Sequence, residues 1–168
     1  MSSMISTTRE KYPRPTAIHE AGHAVVAWSF NLPVGAIWVS AEDASGGTRI
    51  GPAGHLKLEE QIAVRCAGGI AEEVFECPGH ELATFQDNVA IMKLLGEHGF
   101  TEENGGPALR ARGYDIAATA LEKNRAKVMA LVEQLVEHGC VEATACLMLM
   151  NSEASDHGVD ETAQNPSA

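Results

Sequence analysis

Positive charge is scarce in this chain. Lys and Arg number 12 against 23 Asp and Glu, a formal net charge of −11 over 168 residues. Such a surface repels phosphate backbones and anionic lipid, which speaks against nucleic-acid or membrane-surface partners. Long apolar runs are also missing. None approaches the ~20 residues of a membrane span. Met1 to Arg14 lacks the apolar stretch of a signal peptide, so a soluble cytoplasmic protein is expected. The four cysteines, Cys66, Cys77, Cys140 and Cys146, form no C-x-x-C pair. Their neighbours are mostly apolar, and reduced core cysteines are expected. No Gly-Lys-Ser or Gly-Lys-Thr occurs, which excludes a Walker-type ATP site.

What is present is His19-Glu20-Ala21-Gly22-His23. On a helix, residues four apart lie on one face. Two imidazoles there can occupy two corners of a tetrahedral Zn²⁺ site. Glu20 projects beside that face, where a carboxylate can take a proton from water and pass it to a leaving amine. With 7 His and 18 Glu in the chain, chance supplies about 0.03 such motifs. Ile18, Val25, Val26, Trp28 and Phe30 make the segment apolar nearly all round, as in a buried helix. Two buried histidines and a glutamate would be costly without partners, and a metal would satisfy them.

The rest of the chain reads as one mainly helical domain with a small β element. Residues 1–12 are expected to be loose, 13–150 to form the domain, and 151–168 to be a disordered polar tail. The metal helix is expected over Thr16 to Asn31, with Thr16 as N-cap. Val34 to Ser40 reads as a strand, and Thr48-Arg49-Ile50 as a second short one. A helix over Leu56 to Glu76 carries Gly68 and Gly69 inside its apolar surface, which suggests close approach to another backbone. Of Glu72 and Glu73, at least one should find an inward partner. A third helix, capped by Thr84, would put Phe85, Val89, Met92 and Leu95 on one face. Asp87 lies in its first turn, where the helix dipole alone would favour a carboxylate. One long helix is expected up to His138, with Leu121, Val128, Leu131 and Leu135 inward. A short last helix over Cys140 to Met150 should bury its Met148-Leu149-Met150 cluster. By chemistry alone Glu72, Glu73, His55, His80 and His98 compete with Asp87 for a third ligand position.

Three stretches together resemble the peptidase domain of the FtsH-type zinc metalloproteases: His19 to Val26, Ala67 to Phe75 (AGGIAEEVF), and Asp87-Asn88-Val89-Ala90. Asn124-Arg125 is a weaker match. The resemblance spans roughly residues 13–150. It departs from the family where Glu81 to Gln86 replaces a glycine-containing turn, and where the Glu72–Asp87 spacing is one residue short. It implies a helical metallopeptidase fold with His19, His23 and Asp87 as zinc ligands and Glu20 as catalytic base. It also implies that Glu72 steadies a ligand histidine, and that the strand Ile37, Trp38, Val39, Ser40 is the edge against which substrate lies. The family's ATPase module and membrane anchor have no counterpart in these residues. The expected activity is therefore ATP-independent endopeptidase cleavage of peptides or unstructured polypeptides. The alternative is a catalytically silent binding or assembly module with structural zinc. Intact Glu20 favours the enzyme, since a structural site needs no base. Oligomeric state stays open, a homo-oligomer included.

Overall fold

The computed structural model describes residues 10–79 and 81–152. His80 and most of the two expected loose ends, residues 1–9 and 153–168, lie outside the described residues. What is described at those ends is tied down. Arg14 bridges Glu10 and Glu133. Tyr12 packs under Gly139. Trp28 Nε1 donates to Asn151 Oδ1 at 3.2 Å.

Six helices and three short strands make up the described chain: α1 Arg14–Ser29, β1 Val34–Val39, β2 Gly46–Ile50, α2 Leu58–Val74, α3 Glu81–Glu97, α4 Gly106–Lys123, α5 Arg125–His138, β3 Cys140–Val141 and α6 Ala143–Asn151. Among the described residues no helix is long and apolar enough to cross a membrane.

α1 is the axis of the core. Ala17, Ala21, Ala24, Val25, Val26 and Ala27 are all fully buried. Its small residues let α2 approach closely. A Cβ on Gly22 would lie 2.6 Å from Ala71 Cβ and 2.8 Å from the Ala67 carbonyl. Pro15 enters the first turn, where its missing N–H costs nothing. Thr16 does not cap the helix as expected. The N-cap position is Pro13, and Thr16 Oγ1 instead donates to the Ala44 carbonyl. At the other end Asn31 takes a left-handed conformation, φ 59°. The Leu32 and Asn31 amides then reach back to Ala27 and Trp28 carbonyls, which closes the helix.

The expected long late helix is two, α4 and α5, broken at Asn124, whose side-chain amide donates to the Ala120 carbonyl. Its inward stripe is as expected, with Leu121, Val128, Leu131 and Leu135 fully buried. α3 begins before Thr84, so Thr84 is not its cap. Its buried face is Ile91, Leu94 and Leu95, while Phe85, Val89 and Met92 are exposed. In α6 only Met150 of the methionine cluster is buried, and Met148 faces solvent. Among the cysteines, Cys66 and Cys146 are buried and Cys140 is exposed, all unpaired.

The sheet order is β2-β1-β3, antiparallel throughout. The strand over Ile37 to Ser40 is therefore not an edge. β1 pairs with β2 through Val34↔Ile50 and Ile37↔Thr48, and with β3 through Ile37↔Val141. Its β-branched and aromatic residues suit a strand packed on both sides. Ile37 and Val39 are buried, and Trp38 lies flat over Gly47. The open edge next to α1 belongs to the glycine-rich β2.

Candidate metal centre

The site lies where α1 crosses α2, beneath the first half of α3. α1 delivers His19 and His23 one turn apart. Both rings fit only because α2 is small opposite them. A Cβ on Gly68 would overlap the His19 ring, with Cδ2 and Cε1 at 2.5 Å. Gly68 thus makes room for a side chain, whereas the sequence suggested close approach of two backbones.

Each imidazole is oriented through Nδ1. His19 Nδ1 donates to Glu72 Oε1 at 2.7 Å, and His23 Nδ1 to the Val64 carbonyl at 2.9 Å. Carboxylate and carbonyl oxygens only accept, so both protons belong on Nδ1 in the neutral rings. Glu72 is itself anchored, because the Gly79 amide donates to its Oε2 at 2.7 Å. A left-handed Glu76 closes α2 and turns the chain back to permit this.

Both Nε2 lone pairs then face one point. The two Nε2 atoms are 3.2 Å apart, and each is 3.2 Å from Asp87 Oδ2. That oxygen is buried and no donor reaches it in hydrogen-bond geometry. Three acceptors at the corners of a near-equilateral triangle repel one another unless a cation or a proton sits among them. Ligands on a tetrahedral zinc, at bond lengths of about 2.0–2.1 Å, stand about 3.3–3.4 Å apart. His19, His23 and Asp87 can therefore hold a metal ion.

The electrostatics agree. Burial works to lower the His19 pKa, but the adjacent Asp87 and Glu72 carboxylates outweigh that and raise it to about 9. Burial likewise favours the neutral Asp87 carboxyl, and the two histidines overcome it and hold the pKa below the ordinary value.

Glu20 lies beside this triangle, 8% exposed. Thr48 Oγ1 lies 2.7 Å from Glu20 Oε2 and 2.9 Å from its backbone carbonyl. Gly46 is required above it, since a Cβ there would press within 2.9 Å of Glu20 Cγ. The triangle and Glu20 open into a cleft of about 810 Å³. Its walls include Gly46, Thr48 and Ile50 of β2, Gln61, Val64 and Arg65 of α2, and Leu82, Gln86 and Asp87 of α3.

The sequence-derived candidates sort clearly. His19, Glu20, His23, Glu72 and Asp87 are brought together. Ile37, Trp38, Val39 and Ser40 do not line the cleft, because β2 lies between β1 and its open side. Glu73 is exposed, and His98 Nδ1 is spent on the Leu94 carbonyl of the preceding helix. His55 is not among the lining residues. Sequence reasoning missed the Val64 carbonyl, the Gly79 amide and Thr48. The first two are backbone groups with no residue signature. Thr48, the one hydroxyl residue in a strand that flanks the motif helix, carried a signal. The chain matches no protein-family model and no curated protein.

Proposed function

We infer that this protein is a zinc-dependent endopeptidase of the FtsH-like kind that its motifs resemble. It would hydrolyse peptide bonds in peptides or unstructured polypeptides without ATP. The observation that carries this reading is the triangle of His19, His23 and Asp87 acceptors, open to a cleft with a carboxylate beside it. A closed structural site would need a fourth protein ligand and no base.

A bound zinc supplies Lewis acidity, which acidifies a water molecule and polarises a carbonyl. The protein does the rest. Glu20 Oε2 is held by Thr48. Its other oxygen then accepts the proton of the attacking water and delivers it to the leaving amine. Glu72 keeps His19 in one tautomer and one orientation, which maintains its basicity as a ligand.

Substrate binding falls to β2 in place of β1. The Ser40 amide bonds the Ser45 carbonyl, so 38/47 is the next hydrogen-bonded pair in the ladder. Gly46, Thr48 and Ile50 therefore direct their N–H and C=O groups away from β1, toward the open edge. The same three residues line the cleft. An extended peptide added there gains main-chain hydrogen bonds with little demand on its sequence.

The test is a casein or fluorogenic-peptide assay on zinc-loaded wild type and Glu20→Gln, with metal analysis of both. We expect one zinc per chain in each and hydrolysis only in wild type. Equal activity in the two proteins would remove Glu20 as the base. Absence of hydrolysis from both, with zinc retained, would favour a silent binding module.

A further inference from the structure

The cleft holds one positive side chain, and neither the metal site nor the base uses it. Apart from His19 and His23, the titratable residues lining it are Glu20, Asp43, Glu72, Asp87 and Arg65. Four of these are acids with assigned or local work. Glu20 bonds Thr48, Glu72 holds His19, Asp87 completes the triangle, and Asp43 Oδ1 is taken by the Ser45 amide and hydroxyl. Arg65 is the single Lys or Arg in the lining and is solvent-exposed. Arg14, Arg110 and Arg125 all bridge to carboxylates. Arg65 has no hydrogen bond or ion pair among the described residues.

Its placement follows from α2. Residues 61, 64, 65, 68 and 72 recur at helical spacing and share one face. That face gives Val64 to His23, Gly68 to the His19 ring and Glu72 to His19 Nδ1. Arg65 adjoins the residue that orients His23. It stands three residues, about 4.5 Å of rise, from the glycine beneath the ligand ring. An extended peptide advances about 3.3 Å per residue. A guanidinium on a flexible stem therefore reaches a substrate group one to three residues from the scissile bond.

The geometry points to Arg65 as the residue that selects substrates presenting a carboxylate near the cleaved bond. The inference rests on the peptidase reading and adds a substrate class to it. The ligand is a carboxylate, because the guanidinium fork matches its two oxygens and the rest of the cleft repels anions. A glutamate or aspartate side chain and a free C-terminus share this chemistry. Selection by Arg65 also offsets the general repulsion between an acidic protein and an acidic peptide.

The experiment uses zinc-loaded protein and three sets of short peptides. The first carries one Glu or one Gln at successive positions, with both ends blocked. The second is neutral with a free C-terminus. The third carries Lys in place of Glu. Hydrogen bonds to charged groups are worth roughly tenfold or more in affinity. We expect the Glu-to-Gln ratio of kcat/KM to be about tenfold at one position in wild type and to fall near one in Arg65→Gln. Partial recovery is expected in Arg65→Lys and a preference for Lys peptides in Arg65→Glu. The wild-type preference should shrink as salt rises. Preference for the free C-terminus alone would assign the carboxylate to the chain end. Hydrolysis with no acidic preference, or one that survives in Arg65→Gln, overturns the inference and leaves the peptidase intact. Failure to hydrolyse any peptide overturns the peptidase reading. In that event, peptide binding by zinc-loaded Glu20→Gln, measured by fluorescence anisotropy, decides. Tighter binding of Glu peptides that is lost with Arg65→Gln supports carboxylate recognition, and equal binding refutes it.

Discussion

Gly68→Ala should uncouple helix stability from metal binding. In a helix interior, alanine is more favourable than glycine by about 1 kcal/mol. Gly68 has no special backbone conformation that alanine would strain. On α2 alone the substitution should stabilise. The new Cβ, however, would overlap His19 Nε2 and lie 2.5 Å from its neighbours Cδ2 and Cε1. Relaxing this to an ordinary contact of about 3.5 Å moves the ring by about 1 Å. Metal–ligand distances tolerate only about 0.2 Å. The move also strains the 2.7 Å bond from Nδ1 to Glu72. Changing a partner that only orients a ligand typically costs roughly 10–100-fold in affinity. Displacing the ligand itself should cost more, so we expect zinc affinity to fall by more than about 100-fold. Overpacking of this kind costs about 1–3 kcal/mol, partly offset by the helix term, so metal-free stability should drop by no more than about 2 kcal/mol. Gly69→Ala is the matched control. Its Cβ meets Thr84 at 3.4 and 3.6 Å, an ordinary contact. Competition against a chelator of known affinity gives the zinc constant, and urea unfolding of metal-free protein gives the stability. Gly69→Ala should keep wild-type zinc affinity. If Gly68→Ala also kept it, His19 could not be seated over α2 as described.

Asp87→Ala should weaken zinc binding more than Glu72→Ala, because the first removes a ligand and the second an orienting acceptor; release of the metal by Glu72→Ala alone would reverse the two roles. Zinc needs His19 neutral, and in metal-free protein that ring stays protonated up to about pH 9. Apparent affinity should therefore fall as pH drops from 9 toward 7, with close to one proton released per zinc near neutrality. Calorimetry in two buffers of different ionisation enthalpy counts that proton, and a count of zero would remove the His19–Asp87 coupling. Cleavage should proceed without ATP and spare a stably folded protein while degrading its unfolded form. Equal rates on the two forms would contradict strand addition at β2, which requires an extended substrate.

The helix that carries His19, Glu20 and His23 was legible because motif and burial agree. Seven consecutive residues from Ala21 to Ala27 are small or β-branched apart from His23, and all but His23 are buried. Glu72 was legible as an inward acid because it sits in an apolar run on the face that α1 needs. The late helices were legible through Leu121, Val128, Leu131 and Leu135, but their break was not, since Asn124 interrupts no apolar period. The resemblance implied an edge at Ile37 to Ser40, but β1 is paired on both sides. Val34 to Val39 has strong strand character, and strand character marks packing on both sides, not an exposed edge. The open edge on the cleft side is Gly46–Ile50, whose glycines are needed for clearance from Glu20 and Trp38. α3 misled by its pattern, for Phe85, Val89 and Met92 keep helical spacing while facing outward. Periodicity identifies a face; only the neighbouring elements decide which way it turns.

His19, His23 and Asp87 are proposed to hold one zinc with a position left open. X-ray absorption at the zinc edge, on protein containing one equivalent of metal, tests it most directly. The expected shell is two imidazole nitrogens at about 2.0–2.1 Å and oxygen at about 2.0–2.2 Å, with no sulfur. The imidazole count should fall by one in His19→Ala. A zinc–sulfur distance near 2.3 Å, or an unchanged imidazole count in that variant, would contradict it.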